Sequence, residues 1–242
     1  MMIYSVSKGC LRRNLRSAFF RRPDTKQTEV FCMLSRKEIK SLAKHEFVQN
    51  YWQCVGACAV VGILIGFVGC LTAGIGALVL VPPFIIGRKM FFLNVYNGKT
   101  EDMGTIFPRA FENYGHKLGG YLWMSLFTFL WSLLFIVPGI IKSYAYALTP
   151  YILDDCKNVR AKDALKLSMR MMKGYKWKLF VFELSFLGWR ILSALTSGIL
   201  GAFLVNPYHE TALAGFYQER KLSALDDGIV SEDELNGEPL EE

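Results

Sequence analysis

An all-α, polytopic helical membrane fold is predicted by how apolar and charged residues are distributed along the chain. Of 242 residues, 52% are apolar and only 20% charged, with mean hydropathy +0.25, whereas a soluble domain usually sits nearer 25% charged. The apolar surplus is concentrated: 47–87, 118–141 and 191–208 contain no Asp, Glu, Lys or Arg. Roughly 18 apolar residues are enough for a helix to cross a bilayer. The segments between these stretches are basic, eleven Lys or Arg against four acids in 1–54 and nine against three in 142–178, while 209–242 carries two against ten. Bases that flank apolar runs mark cytoplasmic loops facing anionic lipid. With no soluble basic domain, the net charge of +7 does not point to nucleic acid.

Residues 1–32 read as a basic extension outside the fold, with a start at Met33 expected and an Arg-rich transit peptide as the alternative. The first helix follows at once. Ser35 and Glu38 form a capping-box pattern, and Ile39, Leu42 and Ala43 supply helical apolar spacing. The first apolar run then carries small residues at every fourth position: Cys54, Cys58, Gly62, Gly66, Cys70 and Gly74. Such a stripe lets membrane helices approach closely, so these cysteines read as packing residues, with metal or redox chemistry the lesser alternative.

An internal repeat organises the remainder. Residues 71–84 align without gaps on 195–208, with seven of fourteen positions identical, and a weaker third copy lies at 135–142. Each unit reads as an apolar helix, a Gly or Pro break, and a second helix rich in aromatics. Proline removes a backbone donor, so Pro82, Pro83, Pro138 and Pro207 are expected to kink or end helices.

Two topologies fit. Three hairpins give about six short helices, near 54–72, 75–96, 118–137, 139–155, 177–195 and 197–218, with both termini cytoplasmic and uncharged turns outside. Three long kinked crossings would instead place 88–117, with its five bases, outside. The six-helix arrangement obeys the positive-inside rule better, although it sets Lys142 near the outer surface. The helical membrane domain is thus expected over 33–221 and an acidic, disordered tail over 222–242.

Candidate site residues are few. A basic amphipathic helix is expected from an N-cap at Asn158 to about Lys173. Its Lys162, Lys166, Arg170 and Lys173 face anionic lipid headgroups, or else solvent. Glu183 and Arg190 lie inside an apolar run and, seven residues apart, share a helix face about 10 Å along the axis. With Asn206 they form a possible intramembrane polar site, although snorkelling or a structural ion pair would also account for them. His45, His116 and His209 read as surface residues. Most tyrosines and tryptophans, including Tyr51, Trp52, Tyr121, Trp123, Trp131, Tyr144, Tyr146, Tyr151, Trp177 and Tyr208, read as an interfacial belt. No catalytic motif, metal-ligand spacing or cofactor fingerprint stands in the sequence, so no enzyme activity and no cofactor are expected.

The runs Asn113-Tyr-Gly-His-Lys-Leu-Gly-Gly-Tyr121, Trp131-Ser-Leu-Leu-Phe-Ile-Val-Pro-Gly-Ile-Ile-Lys142, the segment 164–178, and Asn206-Pro-Tyr with Ala212-Leu-Ala-Gly-Phe-Tyr217 resemble the bacterial integral membrane family catalogued as domain of unknown function 975, typical of Firmicutes. The resemblance covers about 33–220. It implies a multi-pass protein of the bacterial cytoplasmic membrane and supplies no catalytic residues. The expected function is a non-catalytic component that binds membrane lipids, anionic headgroups among them, or a membrane protein partner or second copy. The alternative is a small transporter or permease moving a small or amphipathic solute.

Overall fold

The computed structural model describes residues 34–72, 75–99, 101–134, 136–196 and 198–237. Backbone contacts divide the chain into Met1–Phe31 and Cys32–Glu242, and the described residues all lie in the second unit. The 1–32 extension, Gly74 and residues 238–242 fall outside them.

The described residues are helical throughout, with no strand. Helix α1, Arg36–Gln49, opens on the expected capping box, in which Ser35 and Glu38 each take the other's backbone N–H. Three hairpins follow. In the first, α2 (Tyr51–Leu71) packs on α3 (Ile75–Tyr96), and a 3₁₀ turn and α4 (Ile106–Phe111) close its base. In the second, α5 (Tyr114–Leu134) packs on α6 (Ile136–Tyr146) and α7 (Thr149–Asp155). After α8 (Ala161–Met171), the third rises through α9 (Lys176–Leu184) and α10 (Leu187–Leu195). It returns through a π turn, Gly201–Val205, into α11 (Asn206–Asp226), and α12 (Glu232–Asn236) ends the described chain. Among the described residues, only Tyr51–Leu71 and Leu78–Tyr96 are both long and apolar enough to cross a membrane. In the second hairpin α5 is as long as α2 but less apolar and α6 is short, and the third rises in two short pieces, α9 and α10.

The expected break at Pro82 and Pro83 does not occur, because α3 runs through both. Pro83 has no N–H to give to the carbonyl four residues back. That carbonyl, on Val79, accepts instead from the Tyr114 hydroxyl at 2.8 Å. Pro138 lies in the first turn of α6, where a missing N–H costs little.

The segments aligned as repeats turn their hairpins in the same way. Thr72 and Thr196 cap α2 and α10. The Thr72 hydroxyl donates to Val68 O at 2.7 Å and accepts from Gly76 N at 3.0 Å. The Thr196 hydroxyl donates to Leu192 O at 3.2 Å and accepts from Leu200 N at 3.4 Å. One side chain thereby satisfies a donor and an acceptor that a turn leaves open.

Burial divides the molecule. The core is built from α1, α8 and the hairpin bases: Ile39, Phe47 and Cys54, then Phe91, Phe92 and Ile106, with Ile152, Leu167, Phe182 and Phe216. The tips leave large apolar side chains uncovered, among them Phe67, Leu71, Leu78, Leu133, Val137, Leu195 and Ile199, each 63–78% exposed.

The tail is not the disordered segment expected from its composition. It is folded through residue 237, with Val230 and Leu235 buried. A second capping box, Ser231 with Glu234, starts α12. Gly237, at φ +97°, closes so tightly on Asn158 that a side chain there would collide with its backbone.

Candidate functional site

Charged side chains converge where the hairpin bases meet. Arg88 and Lys89 lie 13 and 14 residues past the start of α3 and face Glu210 on α11. The Arg88 guanidinium donates to Glu210 Oε1 at 3.0 Å, and Lys89 Nζ lies 3.7 Å from Oε2. Lys89 also stands 4.9 Å from the Tyr151 ring, which stacks on Tyr217 at 4.8 Å. Two cations against one carboxylate leave this cluster locally positive. The Tyr151 hydroxyl and Arg88 Nε have no hydrogen-bond partner among the described residues.

A second group joins α4, α5 and α7. Lys117, 1% exposed, pairs with Asp154, 4% exposed, and donates to Arg109 O at 2.6 Å. Arg109 in turn holds Glu101 through two bonds of 3.0 and 3.2 Å. Removing one partner of a buried pair costs about 3–5 kcal/mol, although the pair itself adds little over an apolar replacement. A third group ties α11 to α7: Asp155 accepts from Tyr217 at 2.7 Å and from Lys221 at 2.6 Å. Burial alone would lower the Lys221 pKa, but Asp155 outweighs it and holds the ammonium above its usual range.

Glu183, Arg190 and Asn206 are not assembled into one site. A break at Ser185 and Phe186 separates α9 from α10, so Glu183 and Arg190 do not share a continuous helix face and make no ion pair with each other. Glu183 accepts from the Tyr144 hydroxyl at 3.0 Å. Arg190 reaches His209 Nε2 at 3.3 Å, and Asn206 is exposed beside the π turn. His209 is not a surface residue: it is 8% exposed and meets the Phe186 ring edge-on at 5.0 Å.

The small-residue stripe divides by depth. Cys54 is buried and Cys58 partly so. Gly62 and Gly66 have open space where a side chain would stand, and Cys70 is exposed. Within the chain, α2 packs through Cys54, Ala57 and Val61.

Helix α8 starts after Arg160 rather than Asn158 and ends at Met171. Its apolar face, with Ala164, Leu165, Leu167 and Met171, is buried in the protein, so only its charges are available to a membrane surface. Lys162 lies 5.3 Å from the Trp123 ring. Lys173 and Lys166 are exposed. Arg170 is engaged by the tail, donating to Glu234 at 2.5 Å and to the Ile229 carbonyl. Burial would raise the Glu234 pKa, but the Arg170 and Ser231 hydrogen bonds prevail and hold it below the usual carboxylate range.

The aromatic belt is partly replaced by core. Trp52 and Trp177 are 75% and 71% exposed, whereas Tyr146 and Tyr151 are buried. Sequence reading missed the pairs Arg88–Glu210 and Lys117–Asp154. The signal available was that Arg88-Lys89 are the first bases after a charge-free run of forty-one residues, 47–87. Among the described residues, no three His, Cys, Asp or Glu side chains are grouped to hold a metal ion.

These features define an all-helical protein with apolar hairpin tips and a charged, packed base. Residues 136–223, from the start of α6 almost to the end of α11, match the family model described as protein of unknown function (DUF975), in agreement with the resemblance read from the sequence. No curated protein and no solved structure matches the chain.

Proposed function

We propose that this chain is a non-catalytic integral membrane protein of the bacterial plasma membrane. Its three hairpins enter the bilayer from the cytoplasmic side, and it binds anionic lipid. The observation that carries this reading is the uncovered apolar surface of all three tips, far more than a soluble monomer tolerates as contiguous patches. The turns themselves carry no charge, Lys142 and Arg190 standing nearest to them along the chain, and the Thr72 and Thr196 hydroxyls satisfy backbone groups that hydrocarbon would leave unpaired. Bases at the opposite end, on 36–44 and 157–178, suit an anionic cytoplasmic leaflet.

Cysteine labelling tests the six-crossing topology. In a background lacking the natural cysteines, Leu71→Cys and Lys99→Cys are each exposed to a membrane-impermeant maleimide on intact cells. Six crossings predict labelling of Leu71→Cys only, and three crossings predict labelling of Lys99→Cys. Release of the protein from membranes by alkaline carbonate would end the integral-membrane reading altogether.

A transporter is the second reading, favoured by one observation. The π turn Gly201–Val205 and the Pro82-Pro83 pair interrupt regular hydrogen bonding within a few residues of Glu210 and Arg88, as broken helices do around solute sites. Solute uptake that depends on Glu210, lost in Glu210→Gln with assembly intact, would favour it.

A further inference from the structure

We propose that the groove between α5 and α6–α7 holds one acyl chain of an anionic phospholipid, whose phosphate is held by Lys142 at the groove's tip-side end. This rests on the bilayer reading above and gives its lipid a place.

The groove follows from one glycine. Gly139 lets α6 touch α5 at Ser132, where any side chain would collide. On the base side of that contact a space of about 400 Å³ lies against the two helices, lined by Ser125, Thr128, Phe129, Ser132, Ser143, Tyr146 and Ala147. Three of its hydroxyls are satisfied by their own helices: Thr128 donates to Met124 O at 2.9 Å, Ser132 to Thr128 O at 2.8 Å and Ser143 to Ile140 O at 2.8 Å. Only the Ser125 and Tyr146 hydroxyls are left without a hydrogen-bond partner among the described residues, and the rest of the wall is mainly apolar, which suits hydrocarbon. The α5 wall runs from Met124 to Ser132, about 12 Å at helical rise, close to the ~15 Å of hydrocarbon in one leaflet.

Lys142 supplies the polar end. Its ammonium lies 5.0 Å from the Trp131 ring and 6.0 Å from that of Tyr146, which itself lines the groove. It makes no ion pair among the described residues, whose carboxylates lie mainly at the hairpin bases. Around it Leu134, Ile140 and Ile141 are exposed. A cation amid apolar surface needs an anion, and in a bilayer the anion at that depth is a lipid phosphate. The order along the molecule also fits. Charge stands toward the tip and the groove runs away from it, so a lipid of the tip-side leaflet lies with its phosphate at Lys142 and its chain directed toward the bilayer centre.

Bromolipid quenching tests this. The full chain keeps Trp131 as its sole tryptophan, the other four being changed to Phe, and is reconstituted in phosphatidylcholine vesicles containing brominated phosphatidylglycerol or brominated phosphatidylcholine. The expected result is about a fivefold preference for the anionic lipid at Trp131, abolished in Lys142→Gln and kept in Lys142→Arg. Ala147→Phe, which fills the groove, lowers quenching by both lipids. Equal quenching by the two brominated lipids, or a preference that survives Lys142→Gln, overturns the site. Quenching by neither overturns the bilayer reading beneath it. Native mass spectrometry of the chain with all tryptophans present gives a second readout. Retained phosphatidylglycerol in the natural chain but not in Lys142→Gln supports the site, and equal retention overturns it.

Discussion

Lys117 and Asp154 show what a buried charge does in this chain. Both are almost sealed from solvent, and each is the other's neutralising partner. Asp154→Ala should lower stability by about 3–5 kcal/mol, whereas Lys117→Met with Asp154→Leu should recover most of it; denaturant titration in a mild detergent measures both. Tyr114 is a second single-residue dependency. Its hydroxyl fills the hydrogen bond that Pro83 cannot make, so Tyr114→Phe should cost about 1–3 kcal/mol where no water can replace it. Restoring the donor with Pro83→Ala in the same chain should reverse that loss. Cysteine reactivity follows depth as well: burial pushes the Cys156 thiol up to about 11, so it should resist alkylation at neutral pH until the chain unfolds.

At the scale of elements, α8 and α12 work against each other. Arg170 belongs to the basic face of α8 and is occupied by Glu234 of α12. Truncation after Asp227 should free that face and increase binding to vesicles rich in phosphatidylglycerol, measured by sedimentation. The pH dependence has a definite sign. Glu234 is held below the ordinary carboxylate range in the folded tail, so its contribution is present above the unfolded value and lost as pH falls through the folded one. Acid should therefore loosen the tail, and Glu234→Gln should remove that pH dependence; protease cleavage near Gly228 reads out both.

This element also shows why composition misled. Acidic residues and few aromatics read as disorder, yet Ser231-Glu-Asp-Glu234 carries the same pattern that marked Ser35 to Glu38, and Val230 and Leu235 were there to be buried. Asn158 has the residue type of an N-cap, but its backbone lies against Gly237, a contact across the chain that local spacing cannot reveal. Whereas Pro82, Pro83 and Pro138 lie inside helices, the turns at Thr72 and Thr196 were legible because Thr and Gly act locally. The Arg88–Glu210 pair was not, since nothing in one sequence ties together residues 122 positions apart.

The whole molecule has two surfaces with different needs. At the base, apolar packing and ion pairs hold the hairpins together. At the tips, the chain offers few contacts of its own and leaves its apolar side chains to the surroundings. Stability should therefore depend on the solvent of the tips. Transfer from a bilayer-like nanodisc to a short-chain detergent should lower the unfolding temperature by several degrees and raise amide exchange first in 61–80 and 126–141, with the base exchanging last.

The uncharged turns also bear on how the chain is made. In the proposed topology, between α2 and α3, and again between α10 and the π turn, only a few residues without charge would have to reach the far side of the bilayer. Moving such a turn through hydrocarbon requires no ion to shed its hydration and no long polar loop to be threaded. Each hairpin can then slide in from the ribosome's side as a closed pair, its backbone already hydrogen-bonded, and biogenesis should depend on an insertase that shelters one hairpin at a time rather than on a motor that exports polypeptide.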